Sequence, residues 1–124
     1  MDEKYNKIAF VVLSCDPYSD LWDCYGQLFN RFWPDCPFNC YMASHHVEFN
    51  KYGFKSILLG EDISWSHGLI VLLDNLKTKE YKSVLIVAHS GISKAFYAYF
   101  NGIPQDGEFL NLGLKNCEIK EYEL

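Results

Sequence analysis

The chain has 124 residues and a mass of 14.4 kDa, and 49% of its residues are hydrophobic. This length is typical of one domain and allows a buried core without disulfides or metals. The chain has 11 basic and 16 acidic residues, a net charge of −5, which disfavours binding to nucleic acid. Arg31 is the single arginine, so the chain lacks the guanidinium groups of a multi-arginine phosphate pocket.

Short sequence segments indicate the cellular compartment and whether the chain binds a metal. The apolar run from Ile8 to Leu13 is too short for a signal-peptide core or a membrane span. The 5 cysteines include no Cys-x-x-Cys pair, which favours free thiols and a cytoplasmic location. Cys36-x-x-x-Cys40 precedes His45-His46, but no second ligand pair of matching spacing accompanies it, so we predict no metal site.

The first half of the chain predicts three strands and one helix. Residues 7–14 form an apolar run bounded by charge, which is typical of a central parallel strand. A helix is expected over about 20–32, ended by prolines, and short strands are expected over 39–44 and 54–59. The predicted buried face of this helix contains Leu21, Cys24, Leu28 and Phe32.

The second half continues the alternation. A helix is expected over about 65–77, where leucines recur at helical spacing. A buried strand over 83–88, a helix over 92–100 and a half-exposed edge strand over 118–124 follow. The order β-α-β-β-α-β-α-β predicts a single α/β domain over 1–124. It would be a three-layer sandwich around a mostly parallel, Rossmann-like sheet of about five strands.

In such folds ligands bind beyond the carboxyl ends of the strands, where the strand order reverses. Two turns therefore become candidate sites. One is Ser14-Cys15-Asp16 after the first strand, and the other is His89-Ser90-Gly91 after the strand over 83–88.

Three blocks, at 8–23, 32–37 and 59–66, resemble the N-terminal half of bacterial glycosyltransferase-like proteins from polysaccharide gene clusters. The resemblance implies the nucleotide-sugar-binding side of an A-type glycosyltransferase. It places two segments beside the nucleotide-sugar. They are Ser14-Cys15-Asp16 and the segment with Asp62, Ser64 and Trp65.

Two interpretations of these residues stay open. Asp16 suits hydrogen bonds from a ribose or uracil, and Trp65 suits stacking on a ring. Equally, Asp16 before Pro17 is an ordinary turn residue, and the tryptophans can fill the core. The family holds a divalent metal, Mn²⁺ or Mg²⁺, with an acidic pair after the strand over 83–88. This chain has His89-Ser90-Gly91 there, so a metal is expected only together with a nucleotide-sugar.

Three further blocks, at 84–95, 99–104 and 112–119, resemble the C-terminal end of histidine phosphatases of the phosphoglycerate-mutase-like type. The resemblance implies that His89 contacts a phosphoryl group, helped by the backbone N–H groups of Ser90 and Gly91. The family's nucleophilic histidine belongs in an Arg-His-Gly motif at 14–16, where this chain has Ser-Cys-Asp. Phosphohistidine chemistry is therefore expected to fail.

The chain thus resembles a junction between a glycosyltransferase-like segment, 1–83, and a histidine-phosphatase-like segment, 84–124. Three hypotheses remain: a truncated and fused nucleotide-sugar-binding protein of doubtful catalysis, a phosphate-binding protein that uses His89, and a non-catalytic fusion product. The expected partner is a small nucleotide-sugar or phosphorylated compound. An exposed sheet edge would also allow a homodimer.

Overall fold

The computed structural model describes residues 7–88, 100–102, 119 and 121–123. These residues contain four strands, two α-helices and one 3-10 helix, besides the helical residues 100 and 101. In chain order they are β1 (Ile8–Leu13), a 3-10 helix (Asp16–Leu21), α1 (Trp22–Phe32), β2 (Asn39–Ser44), β3 (Phe54–Leu58), α2 (Trp65–Thr78) and β4 (Ser83–Val87). The strands form one sheet in the order β3-β2-β1-β4, and every neighbouring pair is parallel.

The prediction of an α/β fold with a parallel sheet is confirmed, and the apolar run of β1 is central, between β2 and β4. The expected strand number is wrong for the described part of the chain, which has four strands rather than five. Residues 119 and 121–123, within the predicted edge strand over 118–124, have no strand structure. Of the predicted helix over 92–100, residue 100 is described and is helical, and the rest lies outside the described residues.

One face of the sheet packs against α2. Successive strand residues point to opposite faces, so Ala9, Val11 and Leu13 of β1 share this side. They form a buried cluster with Leu72 and Leu76 of α2. The leucine spacing in the sequence therefore predicted the buried face of α2 correctly.

The other face of the sheet packs against α1 through aromatic rings. Phe10 lies 5.2 Å from the ring of Phe29 and 6.3 Å from the ring of Trp33, between centroids. Trp22 of α1 is 3% exposed and belongs to the same cluster. An aromatic side chain buries about 150–250 Å² when it is enclosed. These rings therefore define the buried face of α1.

The predicted buried face of α1 is wrong. Phe32 is 78% exposed, Leu21 is 59% exposed and Leu28 is 45% exposed, and Cys24 is also exposed. Both faces of α1 have helical spacing, so periodicity alone could not separate them. The aromatic face is buried because it removes more apolar area from water.

The connection from β2 to β3 contains no helix, yet it joins parallel neighbours. Phe49 of this connection is buried in the aromatic cluster, and its backbone N–H donates to Ser56 Oγ of β3. The chain then turns at Tyr52 and Gly53, with φ values of 56° and 85°. Glycine suits this left-handed conformation, and Tyr52 adopts it while its ring packs on α1.

β4 is an outer strand of the described sheet. Val84 and Ile86 pack against the α2-side cluster, whereas Leu85 and Val87 are 39% and 41% exposed. The expectation of a strand buried on both faces is therefore wrong. In the part of the chain that the structure describes, no helix has the length and apolar character needed to cross a membrane.

Candidate functional site

The loops that follow β1, β2 and β3 meet at the carboxyl edge of the sheet, because all strands run in the same direction. Backbone hydrogen bonds of these loops continue the pairing of the strands. Ser14 N–H donates to Ala43 O at 2.9 Å, and Gly60 N–H donates to His45 O at 3.1 Å. The three loops are therefore ordered by backbone contacts at this edge.

The Asp16 carboxylate holds the loop after β2. Its Oδ1 accepts hydrogen bonds from the backbone N–H groups of His45, His46 and Val47, at 3.2, 3.1 and 3.1 Å. Its Oδ2 lies 3.2 Å from the His46 nitrogen. The carboxylate predicted to face a ligand is thus engaged by the chain's own amides.

These hydrogen bonds stabilise the ionised form of the Asp16 carboxyl. Burial by itself would raise the pKa of the Asp16 carboxyl. The hydrogen bonds from His46, Val47 and His45, together with the nearby His46 ring, lower this pKa below its usual value. The ionised Asp16 carboxylate therefore connects the loop after β1 to the loop after β2.

His45 joins the loop after β2 to the loop after β3. Its Nδ1 lies 3.1 Å from Gly60 O, and because a carbonyl only accepts, Nδ1 donates in this hydrogen bond. Its Nε2 lies 3.5 Å from Asp62 Oδ1. The side chain of His45 is 12% exposed and that of Asp62 is 62% exposed, so Asp62 is the carboxylate open to a ligand.

Cys15 lies between these acidic groups, at the start of the 3-10 helix. Burial raises the pKa of its thiol, a hydrogen bond from the Tyr18 backbone opposes this, and the charges of Asp62 and Asp16 raise the pKa further. The thiol is therefore protonated at neutral pH and is poorly suited to nucleophilic attack.

The two described serines of the predicted site have structural partners. Ser14 Oγ accepts a hydrogen bond from Trp22 Nε1 at 3.0 Å, which ties the end of β1 to α1. Ser64 is the N-cap of α2, and its Oγ accepts from His67 N–H at 3.1 Å. Trp65 begins α2, so its backbone lies at the same helix N-terminus.

His89, Ser90 and Gly91 lie outside the described residues. The strand before them is described, and β4 pairs with β1 in the register Val12 with Val87. The strands that precede the two predicted turns are thus neighbours in the sheet. This is also the point at which the strand order reverses.

The residues of the described part do not fit a divalent metal. No group of three or more His, Cys, Asp or Glu side chains in that part is placed to hold a metal ion. Asp16, the acidic residue of the turn after β1, already accepts hydrogen bonds from three backbone amides. We therefore derive no metal-dependent step for this site.

His45 is the site residue that the sequence analysis missed, since the sequence pointed to it only as a metal ligand. Its position directly after the last residue of β2, Ser44, was the available signal, because it places the ring at the carboxyl edge. Its contacts with Gly60 and Asp62 come from a separate loop and have no local signature.

Comparisons of the chain with protein-family models, curated proteins and solved structures give no match. The site must therefore be interpreted from its own residues.

Proposed function

We propose that this chain is a glycosyltransferase-like binding domain that holds a nucleotide-sugar without turning it over. The observation that carries the proposal is the coupling of the three loops at the carboxyl edge by Asp16 and His45. Open α/β sheets bind nucleotides at this edge. Loops that are already ordered also reduce the entropy lost on binding.

The finer architecture belongs to the same proposal, namely a three-layer, Rossmann-like domain. The strand order β3-β2-β1-β4 supports it, because strands are added on one side of β1 and then on the other. Separate apolar clusters against α1 and α2 support the layering. A cytoplasmic location is proposed with it, from the 5 cysteines without a Cys-x-x-Cys pair.

Each group at the edge has a proposed role. Asp62 accepts hydrogen bonds from ribose or sugar hydroxyls, because its carboxylate is exposed and close to the ordered His45. The N-terminus of α2, at Ser64, attracts the diphosphate through the helix dipole. The proposal assigns stacking on the base to Trp65 and puts Ser14 and Cys15 beside the nucleotide-sugar.

The absence of turnover follows from the chemistry of the residues at hand. Leaving diphosphate needs positive charge to stabilise it, and the described residues have no metal-holding group. The sequence after β4 reads His89-Ser90-Gly91 in place of an acidic pair. The Cys15 thiol is protonated and does not offer a covalent route.

One observation favours a second candidate, phosphate binding through His89. Because β4 pairs with β1, the turn after β1 and the sequence that contains His89 follow neighbouring strands. A crevice between them would accept a phosphoryl group without a histidine nucleophile. In this case binding occurs and hydrolysis does not.

Calorimetric titration of the chain with uridine or guanosine diphosphate-sugars, in metal-free buffer, tests the main proposal. We expect binding heat, and we expect Asp62→Ala to weaken the affinity at least about tenfold, since a hydrogen bond to a charged group contributes about 1.5–3 kcal/mol. Asp74→Ala is the matched control, because Asp74 is an exposed acid of α2 outside the loops. Its affinity should equal that of the wild type.

The outcomes separate the candidates. No heat with any diphosphate-sugar at millimolar concentration overturns the main proposal. Heat with inorganic phosphate that disappears in His89→Ala supports the second candidate. If neither the diphosphate-sugars nor inorganic phosphate gives binding heat, both candidates fail. The result then supports the third hypothesis, a non-catalytic fusion product.

A further inference from the structure

A pair of thiols lies outside the site at the carboxyl edge. Cys40 lies in β2, and Cys36 lies in the loop between α1 and β2. Their sulfur atoms are 3.9 Å apart. Both thiols are free, and both side chains are partly buried rather than enclosed.

The two cysteines have different surroundings. Cys40 packs against the aromatic cluster, and its thiol donates to Phe38 O at 3.5 Å. Cys36 lies in a segment without helix or strand structure, held by a backbone hydrogen bond from Cys36 N–H to Trp33 O at 3.3 Å. Cys36 therefore belongs to a loop, whereas Cys40 is held in a strand of the sheet.

We propose that Cys36 and Cys40 are a reversible modification site, at which a low-molecular-weight disulfide such as oxidised glutathione oxidises the pair to an intramolecular disulfide. A disulfide has an S–S bond of about 2.0 Å, so the sulfurs must approach by roughly 2 Å. Rotation of the Cys36 side chain and a small loop movement supply this approach. The bond would close a short loop, which adds little stability and keeps the bond easy to reduce.

Cys36 is the attacking sulfur. Burial, and then the neighbouring Cys36, raise the pKa of the Cys40 thiol to about 12, so Cys40 is protonated at neutral pH. Attack requires a thiolate on an accessible sulfur, and Cys36 lies in the loop.

The exchange balances in two steps. The Cys36 thiolate attacks the glutathione disulfide, forms a mixed disulfide and releases one glutathione thiolate, which takes a proton. Cys40 then loses its proton to solvent and attacks the Cys36 sulfur, which releases the second glutathione. Two protein thiols are oxidised, and one glutathione disulfide is reduced to two thiols.

The sequence makes the product easy to detect. Trypsin cleaves after Arg31 and Lys51, and the peptide of residues 32–51 contains Cys36 and Cys40 as its only cysteines. After treatment of the folded chain with oxidised glutathione, mass spectrometry should find this peptide lighter by two hydrogen atoms. Dithiothreitol should restore the original mass.

Variants test the order of attack. In Cys40→Ser, the peptide should carry one glutathione on Cys36, because no second thiol is available to release it. In Cys36→Ser, it should carry none, because Cys40 is protonated and packed. Circular dichroism checks that both variants fold.

Two results would overturn the inference. One is a wild-type peptide that keeps both thiols, or that is linked to a different cysteine-containing peptide, after treatment. The other is glutathione on Cys40 in Cys36→Ser together with none on Cys36 in Cys40→Ser, which refutes Cys36 as the attacking sulfur.

Discussion

At the scale of single residues, Asp16 shows how one carboxylate holds a loop, at a position for which the sequence left both a turn role and a ligand contact open. Its partners are the backbone N–H groups of residues 45–47, which lie 29 to 31 positions along the chain. Hydrogen bonds from amides to a charged acceptor are among the stronger ones in proteins. The loop after β2 therefore depends on the ionised form of Asp16.

This dependence predicts the effect of pH and of substitution. Because the hydrogen bonds lower the pKa of Asp16 below the unfolded value of about 3.9, the carboxylate stabilises the fold above about pH 4. The contribution is lost as the pH falls through the folded-state pKa. Urea unfolding at pH 7 should show a loss of about 2 kcal/mol for Asp16→Ala and a smaller loss for Asp16→Asn, whose amide oxygen still accepts.

The control is Asp20→Asn, an exposed acid in the same 3-10 helix, which should unfold like the wild type. At pH 3, below the unfolded pKa of about 3.9, the difference in unfolding free energy between the wild type and Asp16→Asn should narrow, since the unfolded wild type binds a proton at this carboxyl more readily than the folded wild type. An unchanged gap between pH 7 and pH 3 would contradict the role of the charge.

At the scale of elements, α1 is positioned by Gly26 as well as by its aromatic residues. Gly26 is buried, and the ring of Tyr52 from the connection between β2 and β3 lies directly against it. A Cβ atom at Gly26 would lie 2.5 Å from Tyr52 Cδ2 and 2.9 Å from Cγ. The glycine is therefore required by the close approach of the ring.

We predict that Gly26→Ala lowers the free energy of unfolding by about 1–2 kcal/mol. The clash costs roughly 1–3 kcal/mol, and the higher helix propensity of alanine offsets up to about 1 kcal/mol of it. Thermal or urea unfolding measures the change.

Gly68→Ala in α2 is the matched control. There a Cβ atom would meet its nearest neighbour, His45 Cε1, at 3.8 Å, which is ordinary contact. The same exchange should therefore leave stability unchanged or raise it by up to about 1 kcal/mol. Equal effects at the two glycines would refute the packing argument.

At the scale of the whole molecule, the question is how β4 is held to the rest of the sheet. It pairs with β1. A side-chain contact also joins β2 to the residues just before β4, across β1, which lies between these two strands. The hydroxyl groups of Tyr41 in β2 and Tyr81, just before β4, are 2.6 Å apart. Burial, and then the hydrogen bond with Tyr81, raise the pKa of Tyr41 to about 12.

This contact predicts a loss of stability at high pH. The folded-state pKa lies above the unfolded value of about 10, so the contribution is complete below pH 10 and is lost as the pH rises toward 12. Tyr41→Phe should lower the unfolding free energy at pH 7 by about 1 kcal/mol and reduce this alkaline loss.

A double-mutant cycle with Tyr81→Phe isolates the interaction. The two substitutions together should cost less than the sum of the single effects, since either one removes the shared hydrogen bond. Strictly additive effects would show that the two hydroxyl groups act independently.

The elements of the described fold could be predicted closely from the sequence, whereas the packing could be predicted for α2 and not for α1. β1 and α2 have strong local patterns, a continuous apolar run and leucines at helical spacing, and both lie where predicted. α1 has two apolar faces of similar periodicity, and the choice between them depends on the area that each buries against the sheet. The position of the candidate site at the carboxyl edge followed from the alternation of strands and helices.

What the sequence by itself determined is therefore local: the strand and helix positions and the turns that follow the strands, because hydrophobic period and breaking residues act over a few positions. The tertiary structure alone decided that Asp16 is used by the loop after β2 and that His45 faces Asp62. It also decided which face of α1 is buried. These outcomes depend on groups far apart along the chain that meet only when the parallel sheet brings the strand ends together.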